Sequence, residues 1–188
     1  MIRAHHFVRD KLRDGRPVPP DGEWLVHDGP VKMCESGLHA SRHPFDALTY
    51  APGPNLCLVD CDEIAAEDNE KLVCRRRRIV ARFDATDMLR AFARQCALDV
   101  IYLWDAPQVV RDYLTTGDES LRAAASAAAS AAAKDAAWAV WAAKDAALDA
   151  ARGAAWGAVR DARDDLRERF ARLVTDHLAS HERRENEE

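Results

Sequence analysis

The stretch Cys34-Glu35-Ser36-Gly37-Leu38-His39-Ala40-Ser41-Arg42-His43-Pro44-Phe45-Asp46-Ala47-Leu48-Thr49-Tyr50 is the most densely specified part of the chain. It reads as a turn, a short strand and a capped helix. Gly37 frees the backbone where the strand begins, and Leu38 and Ala40 point to one side of it. Ser41 to His43 supply polar cap candidates before Pro44, a proline at an early helical position. Phe45, Leu48 and Ala51 then fall on one helical face. A strand running straight into a helix sets the expected class: α+β, a small antiparallel or mixed sheet with short helices, followed by a long alanine-rich helical region.

Towards the N-terminus, Ala4 to Val8 is a short segment fit for a strand, and Arg9 to Asp21, with Pro17, Pro19 and Pro20, reads as loop. Trp24-Leu25-Val26 and Val31-Lys32-Met33 flank His27-Asp28-Gly29-Pro30. An Asp-Gly pair between apolar runs predicts a hairpin. Towards the C-terminus, Pro52-Gly53-Pro54-Asn55 is a turn, and Leu56 to Cys61 reads as a central strand. Asp62 to Glu70 reads as an acidic connection. Lys71 to Cys74 and Ile79 to Phe83 look like strand on either side of Arg75, Arg76, Arg77 and Arg78. Unpartnered burial of four guanidinium groups is prohibitive, so this strand is expected to bulge, break or lie at an edge.

From Thr86, a candidate N-cap, the period becomes helical through Met88, Leu89, Phe92, Ala93, Cys96 and Val100. A second short helix follows Pro107 and closes at Gly117. The mixed domain is therefore placed at 1–116, an alanine-rich helix or helical hairpin at 117–180, and a frayed tail at 181–188. Unbroken, roughly sixty residues of helix would reach ~90 Å. Trp138, Trp141, Leu148, Trp156, Val159, Leu166, Phe170 and Leu173 fall near one face, which calls for a partner: the N-terminal domain, a folded-back helix or another copy of the chain. Gly153 and Gly157 are the expected interruption. The repeated Lys-Asp-Ala-Ala and Ala-Ala-Trp phrases have no solenoid period.

The composition narrows the function classes. The chain has 188 residues, 48% of them hydrophobic, and a net charge of −5, which does not favour a general nucleic-acid binder. No apolar run is long enough for a membrane span. Five cysteines with no apolar leader segment read as reduced thiols in a bacterial, or phage-infected, cytoplasm. Cys34, His39, His43, Cys57 and Cys61 invite a zinc reading, yet Cys57, Val59 and Cys61 share one strand face and read as core residues, so no metal is expected. Arg75 to Arg78 could serve an acidic or phosphate-bearing partner; the plainer reading is a solvated edge strand paired with Glu63, Glu67, Asp68 and Glu70. Of His5 and His6, adjacent on a strand, at most one can line a site. Trp104-Asp105-Ala106-Pro107 reads as a packed helix end.

Two resemblances attach to these residues. Val31 to Ala40, with His43 to Ala47, Tyr50, the strand at 56–61 and Glu70 to Val73, resembles an uncharacterised domain family of phages, prophages and bacteria, over residues 1–85. It brings no established activity. Gly37 to Ser41, Ala47, Tyr50, Asn69 to Val73 and Ile79 resemble the spacing of ADP-ribosyltransferases of the poly-ADP-ribose polymerase type. That resemblance implies NAD as cofactor, with Gly37 and Ser41 lining the nicotinamide pocket, Tyr50 stacking on its ring and Glu70 orienting the ribose as a catalytic residue. His39 stands where the family carries an aromatic, and no histidine-glycine pair precedes the motif at the family's distance. A degenerate, non-catalytic version is thus as open as an active one.

The leading expectation is a phage- or prophage-associated accessory protein without a cofactor. It would bind a macromolecular partner through Arg75–Arg78 and through Trp138, Trp141 and Trp156, whose helix would serve docking or self-association. The alternatives are the NAD-dependent transferase, with Glu70, Tyr50 and His39 catalytic, and a structural or assembly protein.

Overall fold

The computed structural model describes residues 1–12, 14–132 and 163–180. The chain divides into two compact units, Met1–Asp87 with Arg163–Glu188, and Met88–Ala162. The helix at 163–180 packs into the first unit.

The first unit is built on an antiparallel sheet of β1 (Ile2–Val8), β2 (Trp24–Val26), β3 (Leu38–Ala40), β4 (Asn55–Glu67) and β5 (Leu72–Asp84). The order is β1-β4-β5-β2, with β3 also on β5. The long strands β4 and β5, 13 residues each, form the central hairpin. β5 is flanked by β4 on one side and by β3 and β2 on the other. Ser41, just past β3, bridges His5 on the outer edge of β1 through two main-chain bonds of 2.7 and 2.9 Å. The sheet therefore curls towards its own far edge. A core of Ala4, Val8, Ala40, Cys57, Val59, Cys61, Leu72, Cys74 and Ile79 fills the curl.

Three sequence expectations change here. Leu56 to Cys61 is a central strand, but the strand continues through the acidic residues to Glu67, and the turn is confined to Asp68–Lys71. Asp68 Oδ1 closes that turn by accepting the Glu70 and Lys71 amides at 2.8 Å each. The arginine strand is neither at an edge nor broken. Its irregularities flank the arginines: the register skips Val80 on β5 and Ala65 on β4. The reason is in-register charge. Asp60 lies opposite Arg78 and Asp62 opposite Arg76, so one acid of the expected central strand and one of the expected acidic connection are the counter-charges of the neighbouring strand. Lastly, Trp24–Val26 does not form a hairpin with Val31–Met33. It pairs with Arg76–Arg78, while Lys32 bridges Ser36. Pro30 lacks an N–H for a ladder, whereas β5 offers a long open edge.

On one sheet face, Asp60, 2% exposed, accepts bonds from Arg3 Nε at 2.7 Å and Arg78 Nη2 at 2.9 Å. Burial pushes its carboxyl up, but the bonds from Arg78 and Arg3 outweigh that and hold it below the usual range. Trp24 completes the row, with the Arg76 and Arg78 guanidinium carbons 4.6 and 4.9 Å from its ring centroid.

Helix α1 (Pro44–Thr49) has Pro44 in its first turn as expected, but His43 at the N-cap makes no side-chain bond. Its buried residues are Pro44, Asp46 and Ala47, while Phe45 meets Phe170 of the C-terminal helix edge-on at 6.2 Å. Phe170 and Val174 of that helix are fully buried, and the His177 ring stacks on Phe83 at 4.3 Å. Leu173, expected on the packed face, is instead 37% exposed. The stripe runs Arg163, Arg167, Phe170, Val174. For this part of the alanine-rich region the packing partner is the N-terminal domain.

The second unit contains most of α2 (Thr86–Asp99), a 3-10 turn at Ile101–Leu103, α3 (Gln108–Thr116), a 3-10 turn at Glu119–Leu121 and helix at 122–132. Asp84 accepts the Thr86 amide at 2.8 Å, so the capping side chain stands two residues before the one expected. Gly117 closes α3 in the left-handed region, φ 70, with its N–H on Tyr113 O at 2.8 Å. Within Trp104–Pro107, Ala106 is buried but Trp104 is 38% exposed. Trp138, Trp141, Trp156, Gly153, Gly157 and the tail at 181–188 lie outside the described residues. Among the described residues no helix is long and apolar enough to cross a membrane.

If the C-terminal helix is part of the first unit, Phe170→Ala should lower unfolding stability by ~3–5 kcal/mol, and Leu173→Ala should stay within ~0.5 kcal/mol. Urea denaturation followed by circular dichroism measures both. Equal small effects would place the helix off the domain.

Candidate functional site

A cleft of about 970 Å³ opens in the first unit. Gly37 sets its geometry at one wall. Its φ is +114, and a Cβ there would stand 2.7 Å from Val73 Cγ2 and 2.9 Å from Val31 Cγ1. Only glycine brings the strand this close to β5. The chain then carries His39 and Ser41 along the same wall, and α1 delivers Tyr50 at its C-terminal end. Four of the residues singled out by sequence, Gly37, His39, Ser41 and Tyr50, therefore line one cleft.

Glu70 does not line it and stands behind Tyr50. Tyr50 Oη donates to Glu70 Oε2 at 3.1 Å, Lys71 Nζ donates to Tyr50 Oη at 3.2 Å, and the Lys71 ammonium sits 4.6 Å from the Tyr50 ring centroid. The other oxygen, Glu70 Oε1, accepts from Arg163 Nη2 at 2.6 Å. The bonds from Arg163 and then Tyr50 hold the Glu70 carboxyl below its usual range. Both carboxylate oxygens are thus committed to positioning. Alongside, Arg167 Nε donates to Asp46 Oδ1 at 2.9 Å and Arg167 Nη2 to Asn69 O at 3.3 Å. Asp46, 1% exposed, and the two arginines pin the C-terminal helix to α1 and to the β4–β5 turn.

The four arginines part company. Arg75 donates to His27 O and Gly29 O at 3.0 and 3.1 Å and lies 3.6 Å from Glu63; Arg76 and Arg78 pair with Asp62 and Asp60. Of the acids expected to answer them, Glu63 does so, whereas Glu67 pairs with Arg42. Arg77 alone of the run lines the cleft. It is 7% exposed, and its Nη1 donates to His39 O. Strand alternation puts His6, opposite Cys57, on the face that carries Arg77. Burial, then Arg77 and His39, push the His6 imidazole well below its usual pKa. His5 also borders the cleft, contrary to the one-histidine expectation, because the rim includes the edge of β1; its ring Nδ1 lies 2.9 Å from Arg42 O.

Cys57 and Cys61 are buried in the core, and burial pushes the Cys57 thiol up to about 11, while the bond to Cys74 followed by burial raises Cys61. They are poor nucleophiles. Among the described residues no group of three or more His, Cys, Asp or Glu converges as metal ligands would. Sequence reasoning missed Lys71, Asp46, Arg163 and Arg167 as parts of the assembly. The signal present was arginines at 163 and 167 in line with the apolar stripe at 170 and 174, a pattern that marks a cation turned inward.

Fold and cleft define a small α+β domain with an open cavity. Residues 2–91 match the family model of a domain of unknown function, DUF7666. No curated protein and no solved structure matches the chain.

Glu70 titrates lower folded than unfolded, so the unfolded chain binds more protons and the clamp's contribution is complete above about 4.5 and lost as pH falls through the lowered folded value. Glu70→Gln should therefore destabilise at pH 7, by ~1 kcal/mol or less for so accessible a pair, and the difference from wild type should shrink by pH 3. Denaturation at both pH values decides; a gap that widens in acid would remove the clamp.

Proposed function

We propose that the first unit binds a nucleotide-class ligand of the NAD type in the cleft. The observation that carries this is the convergence of Gly37, His39, Ser41 and Tyr50 on one cavity of small-molecule size, at the upper end of the ~300–1,000 Å³ such sites span. In this reading Tyr50 offers an aromatic face at the rim, Gly37 lets the ligand approach main chain, and His39 and Ser41 supply polar contacts. Glu70 acts as a positioning residue for Tyr50. Binding stands ahead of ADP-ribosyl transfer because Glu70 does not line the cleft and its carboxylate is held by Arg163 and Tyr50.

A second reading, an accessory protein of phage or prophage origin that docks on a macromolecular partner or assembles with itself, draws on the second unit. There Val100, Tyr102, Leu103 and Trp104 are 38–77% exposed in a row, more apolar surface than a turn needs. Multi-angle light scattering of the full chain against Tyr102→Ser with Leu103→Ser should show wild-type self-association lost in the variant; a monomeric wild type would exclude self-assembly by this strip.

For the cleft, isothermal titration of the full chain with NAD should show micromolar binding that Tyr50→Ala weakens at least tenfold, with Glu70→Gln intermediate. Absence of heat at millimolar NAD would overturn the NAD reading. A labelled-NAD transfer assay then separates binding from catalysis, and the engaged Glu70 carboxylate predicts no transfer.

A further inference from the structure

Arg77 differs from its neighbours in a way the sheet alone does not explain. Arg75, Arg76 and Arg78 each face a carboxylate, whereas Arg77, the most buried of the four, faces none among the described residues. Among the described residues its one hydrogen bond runs from Nη1 to the His39 carbonyl, a neutral acceptor. Its remaining N–H groups have no partner among the described residues, yet no Arg77 nitrogen is among the buried side-chain atoms sealed from solvent without a partner. They open on the cleft, which Arg77 lines.

The surroundings add to the imbalance. His6 and His39 stand beside Arg77, and after burial it is Arg77 and then His39, with no carboxylate, that depress the His6 imidazole. His39 Nε2 accepts the Cys34 amide at 3.1 Å, which leaves the proton of the neutral ring on Nδ1. Lys71, Arg9 and Lys11 border the cleft as well. The bordering carboxylates are already engaged, Asp14 by Arg16 at 2.7 Å and Glu35 by Lys32 at 3.4 Å. A guanidinium held out of bulk water without a counter-charge is costly, and a dianionic oxygen cluster, which guanidinium donors fit in bidentate fashion, removes that cost.

We infer that Arg77, flanked by His6 and His39, is the anion subsite of the cleft and receives a phosphoryl group of the ligand. This deepens the nucleotide reading in that it uses the same cleft, but it does not depend on nicotinamide or on NAD. Arg77 fixes the phosphoryl group in a charge-assisted pair, His6 donates from the side, and the less buried Lys71, Arg9 and Lys11 draw the anion in from solvent.

The test is titration of the full chain with inorganic pyrophosphate, ADP-ribose, NAD and adenosine, on wild type, Arg77→Gln and His6→Gln, with thermal melts of each unliganded protein. Pyrophosphate and ADP-ribose should bind at least tenfold more tightly than adenosine, and Arg77→Gln should remove that advantage. No binding of any phosphate-bearing probe at millimolar concentration overturns the inference. So does phosphate-dependent binding that a folded Arg77→Gln leaves unchanged, although NAD binding in that case would keep the broader reading alive. Binding of pyrophosphate and ADP-ribose without NAD keeps the subsite and removes the NAD reading. If Arg77→Gln fails to fold, His6→Gln and Arg77→Lys decide: a threefold or larger loss for pyrophosphate in both supports the subsite, and no loss in either overturns it.

Discussion

Four consecutive arginines sit on an interior strand because three of the guanidinium groups are answered by carboxylates of β4, two of them directly in register. Alternation sends Arg76 and Arg78 to one face, where Asp62 and Asp60 stand directly opposite and Trp24 stacks beneath them. It sends Arg75 and Arg77 to the other. Shifting the register by one residue would turn the acids away from their arginines and put Cys57 and Cys61 on the charged face. The charges therefore specify the register more sharply than the apolar residues do. Once β4–β5 is fixed, β2 and β3 have an edge to join, and β1 has its place beside β4.

The second dependence runs through Asp46. A carboxylate in the middle of α1 with 1% exposure would be expelled from a helix that packed only on apolar groups. Arg163 and Arg167 enclose it, and the same Arg163 reaches Glu70 and, through it, Tyr50. The C-terminal helix is thus tied by hydrogen bonds to the wall of the cleft although more than ninety residues intervene along the chain. Phe170 and Val174 supply the burial that makes this attachment stable; the ion pairs supply its direction.

What could be read in the sequence follows from the range of the interactions involved. The turn, strand and helix around Gly37 are fixed by local rules and were legible, as were the apolar runs at 56–61 and 79–83. Asp62 to Glu67 was not, since six residues rich in acids and alanine have no strand signal of their own; Asp62 and Glu63 answer Arg76 and Arg75, and Ile64 to Glu67 extend the ladder against Cys74, Val73 and Leu72. The hairpin at Asp28-Gly29 failed for the opposite reason, a strong local signal overruled by the open edge of β5. Leu173 was assigned to the packed face and Arg163 and Arg167 were passed over, because hydrophobic periodicity is blind to a buried carboxylate that inverts the preference at two positions of the stripe. Of the cleft, Gly37, His39, Ser41 and Tyr50 came together through spacing and resemblance. Arg77 could not be separated from its neighbours, since a period of two marks two faces without saying which one is hollow.

That hollow face is where stability and function pull apart. Three of the arginines are neutralised at no loss to the sheet, and a fourth carboxylate on the cleft side would have neutralised Arg77 equally well. Instead the positions nearest to it hold thiols and histidines: Cys61 across the ladder, His6 on β1 and His39 on β3. Burial and Arg77 together keep His6 neutral, so it can sit beside a guanidinium without adding a second permanent charge. Under the anion-subsite inference, an arrangement of that kind gives up some stability in exchange for affinity, because the field is already in place and no side chain has to be recruited. The β4–β5 register that satisfies three arginines is thus also what holds the fourth unsatisfied, at a fixed height in the wall of the cleft.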